Sequence, residues 1–297
     1  MFSLLRADAE SDLAADLPYP RAMAKNPSVE FVLRPFEGLP GEPDWVALRE
    51  VVPAATAPVR TTSEFGARDV VITTVLPMAW RALHRADGVV MVALQTNAGF
   101  GDPSRDTAAV LLEAIALEPG TPVATATPPG SGPRLQDVLD LSVPFEVTVH
   151  DGFDYWIAPD AEVTADARAS LEQANESVIP TRKLTSVDAA YWCRMRDREY
   201  LRWAMPHDEQ RLVDALARLH AARESGILGG RLVGYFRSSG LVVPVWDLPP
   251  GTEADDVEEP ASTFGVRLTR ALADSSPLDA SARRARAGLV SRQVTLR

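Results

Sequence analysis

Along this chain, short runs in which apolar and polar residues alternate end at turn-forming residues and give way to segments of helical spacing. The alternation predicts hairpins. Phe145–Ile157 (FEVTVHDGFDYWI) has two alternating runs around Asp151-Gly152, a pair suited to a two-residue turn because both tolerate positive φ. Ala190–Met205 (AYWCRMRDREYLRWAM) has a charged turn, with Leu201, Trp203 and Met205 on one strand face. Leu232–Trp246 turns at Ser238-Ser239-Gly240. Pro244 lies in its return strand, and proline cannot donate to a ladder, so that strand is expected at a sheet edge or a bulge. A looser fourth hairpin pairs Val70–Leu76 with Val89–Leu94 across about a dozen residues that include Trp80.

Helical patterns follow the hairpins. Asp102-Pro103 opens the first as N-cap and first-turn proline, and the helix stops before Pro119-Gly120. The others cover roughly Ala165–Ser177, Asp208–Ala222 and Val257–Ala273. In Asp208–Ala222, Leu212, Leu216 and Leu219 form one stripe, with Arg211, Asp214 and Arg218 turned to water. A short helix at Asp44–Val52 and extended segments near Val59–Thr62 and Thr181–Thr185 complete the inventory.

A recurring motif runs through this order. Trp156-Ile-Ala-Pro159, Trp203-Ala-Met-Pro206 and Trp246-Asp-Leu-Pro249 all read W-x-x-P, and each is expected to close a hairpin before the next helix. Six tryptophans and 24 prolines in 297 residues would produce such a pairing about half a time by chance. The corresponding place in the first unit reads Val92-Ala-Leu-Gln95. Four strand–strand–helix units are therefore predicted, starting near residues 70, 145, 189 and 231. The expected fold is α+β, with two fused lobes, mostly antiparallel sheets and helices packed on one face. The element order is similar to that of small secretion-chaperone-like α+β domains, a likeness of fold alone.

Punctuation sets the expected boundaries. Residues 1–27 read as a flexible acidic leader and 28–118 as an N-terminal lobe. Residues 119–133 (PGTPVATATPPGSGP), with five prolines and three glycines, read as a linker. A C-terminal lobe spans 134–278. Residues 279–297 form a basic tail, with Arg283, Arg284, Arg286, Arg292 and Arg297 and no acid after Asp279.

Composition narrows the function classes. Apolar residues make up 46 % of the chain, enough for a sizeable core. A net charge of −11 argues against a general binder of nucleic acid or anionic membrane, which needs a positive footprint. The single cysteine, Cys193, allows no internal disulfide, and four histidines make a Cys/His zinc site improbable. No run of about 18 uncharged apolar residues spans a membrane. The N-terminus turns acidic without an apolar core, so no signal peptide is expected, and the location read from this is cytoplasmic.

Catalytic signatures are sparse. Gly99-Phe-Gly101 lies between a strand and a helix, but the third glycine of a dinucleotide loop is replaced and Asp102 would repel an anion. Cys193 falls on an apolar strand face, where a thiol is buried and inert. His150 is expected exposed at its turn, His220 near a helix C-terminus, and His207 at a helix start. The acidic run Glu253–Glu259 lacks calcium-loop spacing and reads as capping and solvation.

Arg34–Ala55 (RPFEGLPGEPDWVALREVVPAA), Gly101–Asp106, Gly132–Asp140, Ala190–Cys193, Arg202–His207, Val243–Pro249 and Ser291–Leu296 resemble an uncharacterised actinobacterial family of unknown function, over nearly everything from Glu30 to Arg297. Its members often carry an N-terminal SEC-C zinc motif of the kind that ends SecA. This chain has no cysteine before Cys193 and no histidine before His84, so that module, and the SecA or zinc role it implies, is not expected here.

These readings favour a non-enzymatic binding or adaptor protein, chaperone-like in character, whose partner is another protein and which needs no cofactor or metal. The candidate binding set is Trp156, Trp203, Trp246, Arg182, Arg202 and His207. Arg283, Arg284 and Arg286 are added as a patch for RNA or an acidic surface. The rival is an enzyme of unrecognised, hydrolase-like class with its site in the interlobe cleft near His207.

Overall fold

Two of the predicted hairpins form as written, and around them the chain builds two six-stranded sheets. The computed structural model describes residues 31–96, 99–125, 128–292 and 294–295. The acidic leader 1–27 lies outside the described residues. In chain order the elements are α1 (Glu42–Glu50), β1 (Ala55–Arg60), β2 (Asp69–Thr73), β3 (Ala82–His84), β4 (Val90–Ala93), α2 (Pro103–Ala116), β5 (Thr121–Val123), α3 (Leu135–Val138) and β6 (Thr148–Val149). There follow α4 (Ala165–Asn175), β7 (Thr181–Lys183), β8 (Ala190–Met195), β9 (Arg198–Trp203), α5 (Glu209–Ala221), β10 (Arg231–Ser238), β11 (Leu241–Asp247), α6 (Ala254–Ala273), α7 (Ala280–Ser291) and β12 (Val294–Thr295). The fold is α+β.

The second sheet runs β12-β10-β11-β9-β8-β7, antiparallel apart from the β10–β12 pair. Its two faces separate cleanly by alternation. Trp192, Leu201, Trp203, Val242 and Trp246 face α5 and α6, and Tyr191, Ala204, Phe236 and Val243 face the core shared with the first sheet. The helices supply matching stripes: Leu212, Leu216 and Leu219 from α5, and Val257, Ala261, Phe264 and Leu268 from α6. Each large side chain so buried contributes roughly 1.5–3 kcal/mol. Asp208 starts α5 by accepting from the Arg211 N–H at 3.0 Å.

Of the two placements expected for Pro244, an edge or a bulge, the structure departs from the edge and shows an irregular ladder. β11 lies inside the sheet, between β10 and β9. Pairing with β9 lapses opposite the proline, between Val245–Arg202 and the isolated Met205–Val242 bridge. β10 shifts register between Leu232 and Gly234. A local irregularity thus accommodates the missing donor within an interior strand.

The first sheet runs β5-β3-β4-β2-β1-β6. Here the loose hairpin does not form: β2 and β4 are parallel, and β3 pairs antiparallel with β4 on the far side. The dozen residues between the two runs are long enough to carry a crossover with a strand of its own, so an antiparallel return is not enforced. β5 comes from the Pro/Gly-rich stretch, with Pro122 on the outermost strand, where its missing donor costs no ladder bond. Ala55, Ala57, Val70, Ile72, Val90 and Val92 turn inward onto α1 and α2. Leu83, Met91 and Ala93 turn outward beneath Trp80, Tyr155 and Trp156.

The Phe145–Ile157 hairpin is also absent. Thr148 and Val149 pair with β1, and a 3-10 turn at Asp154–Trp156 replaces the return strand. Tertiary bonds decide this. Trp156 Nε1 donates to the Val75 carbonyl at 2.9 Å, its ring stacks on Phe153 at 4.4 Å, and the Phe153 N–H donates to Asn175 Oδ1 at 2.7 Å. The unit expected near residue 145 is therefore not a strand–strand–helix unit, and the W-x-x-P motif closes strands only at Trp203 and Trp246. The basic tail is a packed helix: Asp279 caps α7 through the Ala282 N–H at 2.7 Å, and Ala282 and Leu289 are buried.

Candidate functional site

Where α1, the segment leading into β6, the β7–β8 loop and α6 approach one another, they leave an open groove of 1290 Å³. Its geometry starts at Gly41, the N-cap of α1. Gly41 has φ of +65°, and a Cβ there would meet the Phe145 Cβ at 3.2 Å, so only glycine suits the position. That close approach lets Phe145 stack on Trp45 at 4.1 Å between ring centroids. It also fixes the Pro144–Val147 segment as one wall.

Asp44, in the first turn of α1, is buried at the base. Its Oδ1 accepts from the Tyr191 hydroxyl at 2.6 Å and its Oδ2 from Lys183 Nζ at 2.7 Å. Burial, and then the neighbouring Asp44 carboxylate, push the Tyr191 phenol well above its ordinary pKa. The three groups satisfy one another and tie α1 to the second sheet.

The β7–β8 loop is held from α6. Glu258 accepts from the Thr185 and Ser186 N–H groups, each at 2.8 Å, and from the Thr185 hydroxyl at 3.0 Å. Burial alone would raise the Glu258 pKa, but these hydrogen bonds from Ser186 and Thr185 outweigh it and hold the carboxyl below its ordinary value. Glu258 thus does more than solvate the acidic run, whose Asp256 accepts from the Glu253 N–H at 2.9 Å at the start of α6. Val266 of α6 is 53 % exposed and lines the groove beside Gly265, above the edge of Trp203.

Of the residues singled out in the sequence, Arg182, Trp203 and His207 meet here. Arg182 donates to Asp151 Oδ1 at 2.7 Å. His207 is exposed at the lip and makes no hydrogen bond among the described residues. Partial desolvation, and then the Arg211 charge, lower its pKa and disfavour the charged imidazole.

The others lie elsewhere. Trp246 is fully buried beneath α6, 6.3 Å from the Trp203 ring, with Nε1 donating to the Ser225 carbonyl at 2.7 Å. Trp156 sits on the outer face of the first sheet. Arg202 donates to the Val51 carbonyl at 3.1 Å and faces Cys193, whose buried thiol is pushed up in pKa. Arg286 pairs with Asp214 at 2.6 Å, Arg283 donates to the Leu278 carbonyl, and Arg284 is exposed on α7. His150, expected exposed, is half-buried: Nε2 lies 2.8 Å from the Thr56 hydroxyl and the ring packs 4.9 Å from Tyr155. Asp102 both caps α2 and pairs with Arg134 at 2.8 Å, so the Gly99–Gly101 turn carries a structural carboxylate.

A family of unknown function, DUF5926, matches residues 35–297. The chain belongs to this family. The match begins one residue after Arg34, which pairs with Glu42 at 2.6 Å, and it takes in both sheets and every groove wall. No curated protein and no solved structure matches the chain.

Asp44, Lys183, Tyr191, Glu258 and Val266 were not among the residues that sequence reasoning selected. One signal was available for Lys183, because the chain has only two lysines, Lys25 and Lys183. The Asp44 contacts bridge 139 and 147 positions and had no local signature.

Proposed function

We propose that this family member is a non-enzymatic binding protein, a cytoplasmic adaptor of chaperone-like character, that receives a segment of another protein in the groove between its two sheets. The observation that carries this reading is the state of the groove's polar groups. Asp44 is satisfied by Tyr191 and Lys183, and Arg182 by Asp151. Among the residues left facing outward are the half-buried Val147 and Val187 and the exposed Val266, beside the carboxylates of Glu146 and Asp188. Exposed valines beside few unpaired polar groups, with Asp44 and Arg182 satisfied internally, suit contact with a polypeptide surface.

The rival enzyme reading has one observation in its favour, that His207 and buried Asp44 line the same groove. Both Asp44 oxygens are already occupied, and the cysteine is buried on another part of the sheet. Neither group therefore activates a nucleophile as placed.

Selection of peptides from a displayed library against the full chain tests the proposal. Selected peptides should bind, and the uncharged change Val266→Asn should weaken binding while leaving the thermal midpoint within a few degrees. Binding unaffected by Val266→Asn would contradict the groove reading.

A further inference from the structure

The charges that line the groove are unequally answered. Its two full cations are paired internally, Arg182 with Asp151 and Lys183 with Asp44. Two carboxylates are not consumed. Glu146, on the segment entering β6, and Asp188, in the β7–β8 loop, are exposed, line the groove and make no hydrogen bond or ion pair among the described residues. Apolar walls of low polarisability strengthen the field of such charges, and the chain's net charge of −11 reinforces its sign at longer range.

We infer that the groove selects a cationic, apolar polypeptide segment, one whose hydrophobic side chains meet Val147, Val187 and Val266 while its lysines or arginines meet Glu146 and Asp188. This rests on the groove reading above and adds the chemistry of the partner. An acidic segment of equal hydrophobicity meets two uncompensated like charges and is disfavoured.

Two labelled twelve-residue peptides separate the possibilities, one alternating leucine with lysine and the other leucine with glutamate. Their binding to the full chain is followed by fluorescence anisotropy at low and at physiological salt. The lysine peptide should bind roughly tenfold more tightly, as expected for two partly exposed ion pairs, and the preference should shrink with salt. Combining Glu146→Gln with Asp188→Asn should bring the two affinities within about twofold. The same charge change made at the end of α4, with Glu172→Gln in the helix and Glu176→Gln just after it, should leave the preference in place. Equal affinities for the two peptides, or a preference that persists in the groove double variant, would overturn the inference. If both peptides bind equally and Val266→Asn weakens both, the charge selectivity alone fails. If neither binds the unaltered chain, the groove reading fails and the selectivity with it.

Discussion

The two sheets were assembled by different rules. In the second, β8 pairs with β9 and β10 with β11, sequence neighbours joined by turns of two residues. In the first, β4 sits between β2 and β3, and β6 joins β1 from far downstream, Thr148 and Val149 pairing with Thr56 and Ala55. The tryptophans repeat the contrast. Trp203 and Trp246 close neighbouring strands and share Phe264 at 6.1 and 5.1 Å, whereas Trp156 caps the outer face of the other sheet from a 3-10 turn. A turn signal specifies pairing when both strands are local. It specifies much less when the partner strand arrives from elsewhere, because burial then outweighs the turn.

Stability measurements sharpen this contrast. Trp246→Ala should cost about 3–5 kcal/mol in urea unfolding, because the indole is fully enclosed and its N–H bonded. Trp156→Ala, which uncovers a half-buried ring, should cost about half of that. Equal costs would break the distinction between a core rivet and a surface cap.

Next in size is the tie between α1 and the second sheet. Asp44→Ala strands the Lys183 ammonium and the Tyr191 hydroxyl and should cost roughly 2–4 kcal/mol. Combining it with Lys183→Met and Tyr191→Phe should recover much of that loss. A triple variant no better than the single one would show that the three groups do not act as a unit.

A smaller effect follows pH. The Glu258 carboxyl lies below its ordinary value of 4.5 in the folded protein. Its contribution is therefore complete above that value and is lost as pH falls through the lowered one. Between about pH 5 and 3, Glu258→Gln should flatten the acid limb of the stability curve. An unchanged limb would mean that the loop is held by other contacts.

The smallest difference is expected along α7. Arg286→Ala should cost about 0.5 kcal/mol through Asp214, and Arg284→Ala should be neutral within that margin. A larger effect from Arg284 would show that the exposed face of α7 is engaged.

Much of the second sheet was legible in the residues. Alternation, the Asp208 cap and the leucine stripe of α5 each act within a few positions, and they gave β8–β11 and α5 nearly to the residue. The first sheet was not legible, because the parallel pairing of β2 with β4 and the arrival of β6 depend on side chains far apart in the chain. The groove divides in the same way. Trp203, Arg182 and His207 stood out by local pattern, while Asp44, Tyr191 and Glu258 gain their roles only through contacts across more than seventy positions. Pro244 was legible in part: of an edge or a bulge, the structure shows an irregular ladder within an interior strand.

Hydrogen exchange of the full chain, with and without a peptide selected against it, tests the central claim most directly. Binding in the groove predicts protection along residues 144–147, 184–188 and 262–269, from three walls far apart in sequence and adjacent in space. Protection confined to 76–80 and 153–156, on the outer face of the first sheet, would contradict it.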